Sequence, residues 1–326
     1  MRALSDTLPE GWFPLIAAVD AGDGEAVATL LEAGDDANQA VAAPSEHPTL
    51  TDWEWIGLTP LLLATLKGDE PLVEMLLGHE GIKVDKTRLG DGATAVFMAA
   101  ENDHLEIIRL LAEKGANLDL ARRVDGAIPV LIAAYKGHNE VVRVLADKGA
   151  NLDLVDEETA TTVFVAAQEG NYELVVVLAN KGANLDLAME DGCTPVSMAA
   201  ENGHHEVVRL LADRGANLDL ADENGVTPLS VAVREGHDEV VDFLSTWRQY
   251  LRHQYGLIRL RVGATYATLP VGHKKRALYH YAYGRHNANA PVAAEDAMLP
   301  SNLLPDDLWP LVVRYLVGDG NGTARG

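Results

Sequence analysis

The feature that most constrains this chain is a unit of about 33 residues that recurs along it. The motif GANLD, with spacings of 34, 33 and 33 residues, begins at Gly115, Gly149, Gly182 and Gly215. Less regular forms of the motif begin at Gly34 and Gly81. A fixed period of this length is typical of a solenoid, in which each unit packs mainly against its neighbours. The period therefore predicts one extended array rather than two ordinary domains.

Each unit carries the signals for two helices and a turn. Thr194 can accept hydrogen bonds from free backbone N–H groups and Pro195 suits a first helical position, so a helix is predicted to start there and to end at Gly203. Residues 204–214 place paired aliphatic side chains on one face, which predicts a second helix. Residues 216–225 lack helical periodicity and end in an Asn-Gly turn signal, which predicts a projecting finger.

The pattern TPVSMAAENGHHEVVRLLADRGANLDLADENG resembles the ankyrin repeat, and the resemblance covers about residues 11 to 245. Threonine, proline, paired alanines, glycine and paired aliphatic residues recur together. The resemblance implies an all-α ankyrin-repeat solenoid of stacked helix pairs with β-hairpin fingers. Seven repeats are expected, with first helices beginning near Trp12, Thr59, Thr94, Ile128, Thr161, Thr194 and Thr227.

The chain departs from the ankyrin pattern at one position of each repeat. The family usually has a histidine after Thr-Pro-Leu, whereas this chain has Leu62, Phe97, Leu131, Phe164, Ser197 and Ser230. The change removes a hydrogen bond that links repeats. At the four apolar positions we expect burial of the larger side chain to compensate for that loss.

The repeat pattern divides the chain into regions: a lead at 1–11, the array at 12–245, a basic and aromatic region at 246–316, and a disordered tail at 317–326. Within the array, the interval between the first two degenerate motifs is 47 residues, which predicts an enlarged finger at 39–57. This insertion carries Trp53 and Trp55. The sequence leaves open whether they bind a partner or fold back onto the adjacent repeats.

Charge separates the array from the region that follows it. Residues 246–326 contain 10 of the 26 Lys and Arg residues and 5 of the 49 Asp and Glu residues. Residues 1–245 therefore keep 16 basic and 44 acidic residues, a net charge of −28 against +5 for the remainder. This contrast favours docking of the basic region on the acidic array. The run at 274–276 is too short to indicate a nucleic-acid site.

Several function classes receive no support from the sequence. A single cysteine, Cys193, excludes an internal disulfide, and no clustered cysteines and histidines suggest zinc. No apolar run approaches the ~20 residues that cross a bilayer. The histidines at one recurrent position, His104, His138, His204 and His237, are interpreted as parts of the repeat. We expect a non-catalytic, monomeric protein of the cytoplasm or nucleus, without a cofactor, a metal ion or membrane contact.

In the ankyrin family, the fingers and exposed first-helix residues line a concave surface that binds a protein partner. The basic early fingers and acidic later ones could simply keep the chain soluble, or they could favour a partner with a basic segment. By this resemblance, the candidate partner-binding residues are Trp53, Trp55, Arg88, Glu101, Arg122, Arg123, Tyr135, Lys136, Asp156, Glu157, Glu158, Gln168, Glu169, Glu190, Asp191, Glu201, Glu223 and Arg234.

The segment LPDDLWPLVVRYL at 304–316 predicts an amphipathic helix. It resembles the opening of an F-box, which contacts the adaptor of a cullin ubiquitin ligase, but only the first third of that motif is present. The matching residues are Leu304, Pro305, Leu308, Leu311, Val312, Tyr315 and Leu316. The sequence thus favours a protein-binding scaffold and leaves open two alternatives: a ligase substrate receptor, and a helix that only packs on the rest of the tail.

Overall fold

The computed structural model describes residues 12–42 and 55–247. These residues form fourteen helices and no β-strand. The helices are α1 (Pro14–Ala21), α2 (Gly24–Glu32), α3 (Pro60–Lys67), α4 (Glu70–Gly78), α5 (Ala95–Glu101), α6 (Leu105–Glu113), α7 (Pro129–Tyr135), α8 (Asn139–Asp147), α9 (Thr162–Gln168), α10 (Tyr172–Asn180), α11 (Pro195–Glu201), α12 (His205–Asp213), α13 (Pro228–Glu235) and α14 (described over 238–247).

The helices form seven pairs, and each pair packs against the next. Odd-numbered helices α1 to α13 stack in one layer, and even-numbered helices from α2 to α12 stack in a second layer. Each unit therefore buries its apolar face against its neighbours, as expected for a solenoid. The predicted all-α solenoid is confirmed for the described residues.

The prediction of β-hairpin fingers is wrong for the described fingers, which contain turns and no strands. The finger before α7 is closed by two backbone bonds, from Arg122 N–H to the Ala127 carbonyl at 2.8 Å and from Gly126 N–H to the Arg122 carbonyl at 2.9 Å. The arms on each side of such a turn are too short to continue pairing. The Asn-Gly signal therefore correctly predicted that the chain reverses direction, but it did not predict whether the two arms form a β-ladder.

The first helices start where the sequence predicted. Their N-cap residues are Phe13, Thr59, Thr94, Ile128, Thr161, Thr194 and Thr227. Each of the five threonines accepts a hydrogen bond from the backbone N–H three residues later, which satisfies a donor that the helix itself leaves unpaired. Local capping chemistry thus fixes the start of the first helix in five of the seven pairs, whereas Phe13 and Ile128 provide no side-chain cap.

Burial replaces the missing family histidine, as predicted. Leu62, Phe97, Leu131 and Phe164 are all almost completely buried. At the equivalent position of α11, Ser197 is also buried, and its hydroxyl lies 3.1 Å from the Thr194 hydroxyl. Ser230 of α13 is exposed and forms a capping box with Thr227.

The GANLD motif links successive repeats, a role that the sequence analysis did not assign. The aspartate of one motif accepts a hydrogen bond from the asparagine N–H of the next. The four bonds, of 2.9, 2.9, 2.8 and 2.7 Å, are Asn117 to Asp85, Asn151 to Asp119, Asn184 to Asp153, and Asn217 to Asp186. These aspartates therefore serve the fold, because each satisfies a backbone donor of the following unit.

Trp55, at the end of the insertion, folds back onto the array. It is partly buried, and its ring lies 5.3 Å from the Trp12 ring between centroids, in a tilted arrangement. This contact favours the packing interpretation for Trp55. Trp53, the lead at 1–11 and everything after residue 247, including the segment 304–316, lie outside the described residues.

Candidate partner-binding surface

One continuous surface combines the last turn of the first helices with the fingers that precede them, and we call it the finger–helix surface. The final residues of α5, α7, α9 and α11 are Glu101, Tyr135, Gln168 and Glu201. Arg234 lies at the equivalent place in α13, seven residues after its cap. These five predicted residues therefore share one register position along the array, and Lys136 and Glu169 each lie one residue further on, at the helix C-cap.

The fingers are held side by side by hydrogen bonds between neighbours. The backbone N–H groups of Arg123, Glu157 and Glu223 donate to carbonyl groups of the preceding finger at 2.7, 3.1 and 2.9 Å. Between the finger that precedes α9 and the finger that precedes α11, a side chain provides the link, because Glu190 N–H donates to the Thr159 hydroxyl at 3.0 Å. These bonds fix the spacing of the exposed side chains that the fingers carry.

Two of the positive charges on the early fingers, those of Arg88 and Arg122, are paired within the chain. The guanidinium of Arg88 donates to Asp91 at 2.9 Å, and that of Arg122 donates to Asp125 at 3.1 Å. The pKa of the Asp125 carboxyl is lowered, chiefly by the hydrogen bond from Arg122. Arg122 also lies 3.8 Å from Glu101 and 4.5 Å from the Phe97 ring centroid. Arg88, Arg122 and Glu101 thus stabilise the early fingers.

The acidic residues of the later fingers divide into two groups. The Asp156 carboxylate accepts backbone N–H groups of its own turn at 3.0 and 3.1 Å, and Asp191 accepts one at 2.8 Å. These two aspartates therefore hold their turns. Four glutamates are exposed and form no ion pair with any basic side chain in the described ranges: Glu157, Glu158, Glu190 and Glu223.

Tyr135 lies next to this acidic region. Its side chain is 41% exposed, and burial raises the pKa of its hydroxyl to about 12, with further contributions from Asp156, Glu158 and Glu169. The phenol consequently stays protonated at neutral pH and can donate a hydrogen bond. The structure therefore places an aromatic ring, a donor and several carboxylates within one part of the surface.

The other predicted residues differ in what they can offer a partner. Arg234 pairs with Glu201 at 3.1 Å and with Glu235 at 2.7 Å, so its charge is already balanced. Arg123 and Lys136 are exposed cations with no ion pair to any described acidic side chain. Gln168 and Glu169 are exposed beside the acidic fingers.

Three exposed apolar residues on consecutive fingers were not predicted from the sequence: Leu89, Val124 and Val155. The signal was present, because large apolar side chains are unusual in exposed turns that otherwise consist of glycine and charged residues. They add apolar area to a surface that the sequence described mainly by its charge.

Three of the four recurrent histidines form hydrogen bonds between repeats, in agreement with their structural interpretation, whereas Nε2 of His104 is buried without a hydrogen-bond partner among the described residues. A ring nitrogen of His138, His204 and His237 lies 3.2, 2.9 and 2.8 Å from the carbonyl oxygen of Glu101, Gln168 and Glu201, respectively. In the fifth pair, Asn171 replaces the histidine and bonds with Asn139 at 2.8 Å. These contacts supply inter-repeat hydrogen bonds in place of the one lost with the family histidine.

Cys193 is not poised for reaction. Burial, together with the smaller effects of the Asp191, Glu201 and Asp222 carboxylates, raises the pKa of its thiol to about 11. Because the thiolate is the nucleophile, the protonated thiol is inert at neutral pH. Within the described ranges, no three side chains are grouped to hold a metal ion, and no helix is long and apolar enough to cross a membrane.

Comparison with known families agrees with this geometry. The model described as "Ankyrin repeats (3 copies)" matches residues 45–122, 61–156, 118–189 and 163–251, which together cover more than half of the chain. The chain belongs to the ankyrin repeat family. Its members typically act as non-catalytic scaffolds for protein–protein interaction. The matched ranges end before residue 304, and a search of curated proteins found no significant match.

Proposed function

We propose that the chain is a protein-binding scaffold of seven ankyrin repeats and that its finger–helix surface holds a basic segment of a partner. The observation that carries this proposal is an asymmetry of charge. Arg88 and Arg122 of the early fingers are paired within the chain, whereas Glu157, Glu158, Glu190 and Glu223 of the later fingers are exposed and unpaired within the described residues. Since the fingers are bonded to one another, these glutamates present an ordered row of negative charge.

The partner segment should be basic and should also carry an apolar or aromatic residue. Tyr135 supplies the place for that residue, because it combines a half-exposed ring with neighbouring carboxylates. Aromatic anchors near the centre of an interface commonly carry much of its binding free energy, whereas exposed charges mainly steer association. The surface therefore predicts separate kinetic roles for Tyr135 and for the glutamates.

Neutralising the four glutamates should mainly slow association. The change is Glu157→Gln, Glu158→Gln, Glu190→Gln and Glu223→Gln in one variant. Exposed charges act over about 8–10 Å at physiological salt, so their removal should lower the association rate constant and reduce its dependence on salt. Affinity capture on the wild type and on this variant, analysed by mass spectrometry, would identify partners retained only by the wild type, and stopped-flow kinetics would then measure the rates.

A matched control removes the same number of charges elsewhere. Glu32, Glu70, Glu74 and Glu173 are exposed on the second helices, away from the fingers. Their joint replacement by glutamine should leave the association rate nearly unchanged at physiological salt. An equal slowing by both variants would mean that net charge alone steers the partner, and the assignment of the finger–helix surface would be wrong.

Truncation of Tyr135 should act on dissociation. Tyr135→Ala removes the ring that we place at the centre of the interface, so the complex should lose about 2 kcal/mol, mostly through a faster dissociation rate. Tyr172→Ala is the control, since Tyr172 is a similarly exposed tyrosine at the start of α10. Surface plasmon resonance would measure both rates. An unchanged dissociation rate for Tyr135→Ala would remove Tyr135 from the proposed interface.

A second candidate function rests on the sequence of residues 304–316 alone. If this F-box-like segment recruits a ubiquitin ligase, the repeat array would select the substrate of that ligase. Tagged full-length chain should then co-purify the ligase adaptor and the cullin, and Leu308→Ala with Leu311→Ala should abolish that capture. Absence of both proteins from the wild-type sample would reject the receptor function and leave the scaffold function intact.

A further inference from the structure

The last helix pair leaves open positions that every internal pair buries. In the internal first helices, the residues two and six positions after the helix cap are fully or almost fully buried. They are Val96, Ala100, Val130, Ala134, Val163, Ala167, Val196 and Ala200. The equivalent residues of α13 are Leu229, which is half-buried, and Val233, which is 60% exposed. On α14, Val241 is half-buried, whereas its counterparts Ile108, Val142, Val175 and Val208 are fully buried.

The contrast arises because each internal pair is covered by the pair that follows it. We call Leu229, Val233 and Val241 the cap face, since they form the end of the array. A terminal repeat that faces water usually has a polar outer surface. Here Leu229 and Val233 are larger and more apolar than the valines and alanines that the internal repeats bury. Such residues favour a face that is covered rather than solvated.

The chain that continues from α14 has the length and position to cover this face. Residue 247 is followed by 79 more residues. Phe243 and Trp247 stack with ring centroids 5.7 Å apart, so apolar packing runs along α14 to the last described residue. At ~1.5 Å per residue, the described part of α14 is about 15 Å long, and a return segment of a dozen residues can extend beyond that distance. Leu251, Leu257, Ile258, Leu260 and Val262 supply apolar side chains in that stretch.

Charge complementarity supports the same occupant. Residues 248–294 contain eight Lys and Arg residues and no Asp or Glu. Helix α14 carries three exposed carboxylates, Asp238, Glu239 and Asp242, whereas the exposed Glu235 of α13 is already paired with Arg234 at 2.7 Å. A second copy of the chain would instead bring two acidic arrays together, each with a net charge of −28 over residues 1–245, and their repulsion disfavours that arrangement.

We propose that residues 250–262 of this chain pack on the cap face in cis and close the array with a non-repeat segment. The segment supplies the apolar cover that the next repeat supplies elsewhere, and its basic side chains face the carboxylates of α14. This inference is independent of the proposed partner, because it concerns the end of the array and not the finger–helix surface.

Hydrogen–deuterium exchange of the full chain, read by mass spectrometry, tests the proposal. Peptides from residues 250–262 should exchange at least about tenfold more slowly than in the urea-unfolded chain. Val233→Lys should remove most of that protection while peptides of α11 and α12 keep theirs. On an open face this substitution would be harmless, since lysine suits an exposed last helical turn. Val124→Lys is the matched control, because Val124 is 58% exposed on a finger.

Any of the following three results would overturn the proposal. Absence of protection in the wild type would mean that the segment does not cover the face. Protection that survives Val233→Lys would mean that the segment folds elsewhere. Protection that falls on dilution, together with a dimer in sedimentation velocity, would assign the cap face to a second copy. If Val233→Lys does not fold, Val233→Ser provides the same comparison with a smaller perturbation.

Discussion

Replacement of Phe97 by alanine is expected to lower the free energy of unfolding by about 3–5 kcal/mol, which is the usual cost of a large aromatic-to-alanine cavity. Phe97 is 1% exposed in α5, and its ring also lies 4.5 Å from the guanidinium of Arg122. The substitution therefore removes a core side chain and weakens the contact that ties one finger to the neighbouring first helix. Urea unfolding followed by far-UV circular dichroism would measure the loss.

The solenoid architecture adds a qualitative expectation. Because each pair contacts only its neighbours, the damage should remain local and separate the pairs before α5 from those after it. The unfolding transition of Phe97→Ala should therefore broaden or split in addition to moving to lower urea. A single sharp transition with the wild-type slope would contradict the nearest-neighbour description.

Ser197→Ala is the control for Phe97→Ala, because both residues lie three positions after their helix cap. Ser197 contributes one side-chain hydrogen bond, to the Thr194 hydroxyl at 3.1 Å. Its loss should cost about 0.5–1.5 kcal/mol, the typical net value of such a bond. If the serine variant were as destabilised as the phenylalanine variant, burial would not be what replaces the family histidine.

The local chemistry of the sequence was sufficient to predict the helices. A threonine at the cap and a proline at the first helical position act over three or four residues, so the starts of α3, α11 and α13 follow from them directly. The end of α10 likewise follows from Gly182, whose φ of 83° lies in the left-handed region that favours glycine. These features need no knowledge of the neighbouring repeats.

Features that depend on the register between repeats could not be predicted. The sequence identified the arginines of the early fingers as a basic patch, but it did not show that Arg88 and Arg122 pair with aspartates three residues later. Nor did it separate Asp156, which holds its turn, from the exposed Glu157 beside it. Whether a surface charge is available to a partner depends on distances of a few ångströms, which composition and period do not determine.

The packing of the enlarged finger also depends on contacts between repeats, so the sequence could not predict it. Two tryptophans in one loop are compatible with partner binding or with packing, and only the position of Trp12 relative to Trp55 favours packing for one of them. The β-hairpin prediction failed for a related reason. A turn signal specifies where the chain reverses, whereas a ladder also requires arms long enough to pair, and the described fingers lack them.

Gly203→Val is expected to cost about 3 kcal/mol, because it combines two separate penalties. Gly203 has φ 72°, a conformation that strains a β-branched residue. In addition, a Cβ at this position would lie 2.6 Å from Nδ1 of His237, well inside van der Waals contact. The ring of His237 would have to move, and with it the contact of 2.8 Å between its Nε2 atom and the Glu201 carbonyl oxygen. Urea unfolding would measure the change.

Gly182→Val separates the two penalties, because Gly182 has a similar φ of 83° and no atom lies within 4 Å of the point that a Cβ would occupy there. Only backbone strain applies at this residue, so a loss of roughly 1–2 kcal/mol is expected. The difference between the two variants should disappear when Gly203→Val is made in a His237→Ala background, because the ring that opposes the new side chain is then gone. If Gly203→Val remains equally costly in that background, the histidine contact does not restrict this position, and backbone strain alone requires glycine at the turn.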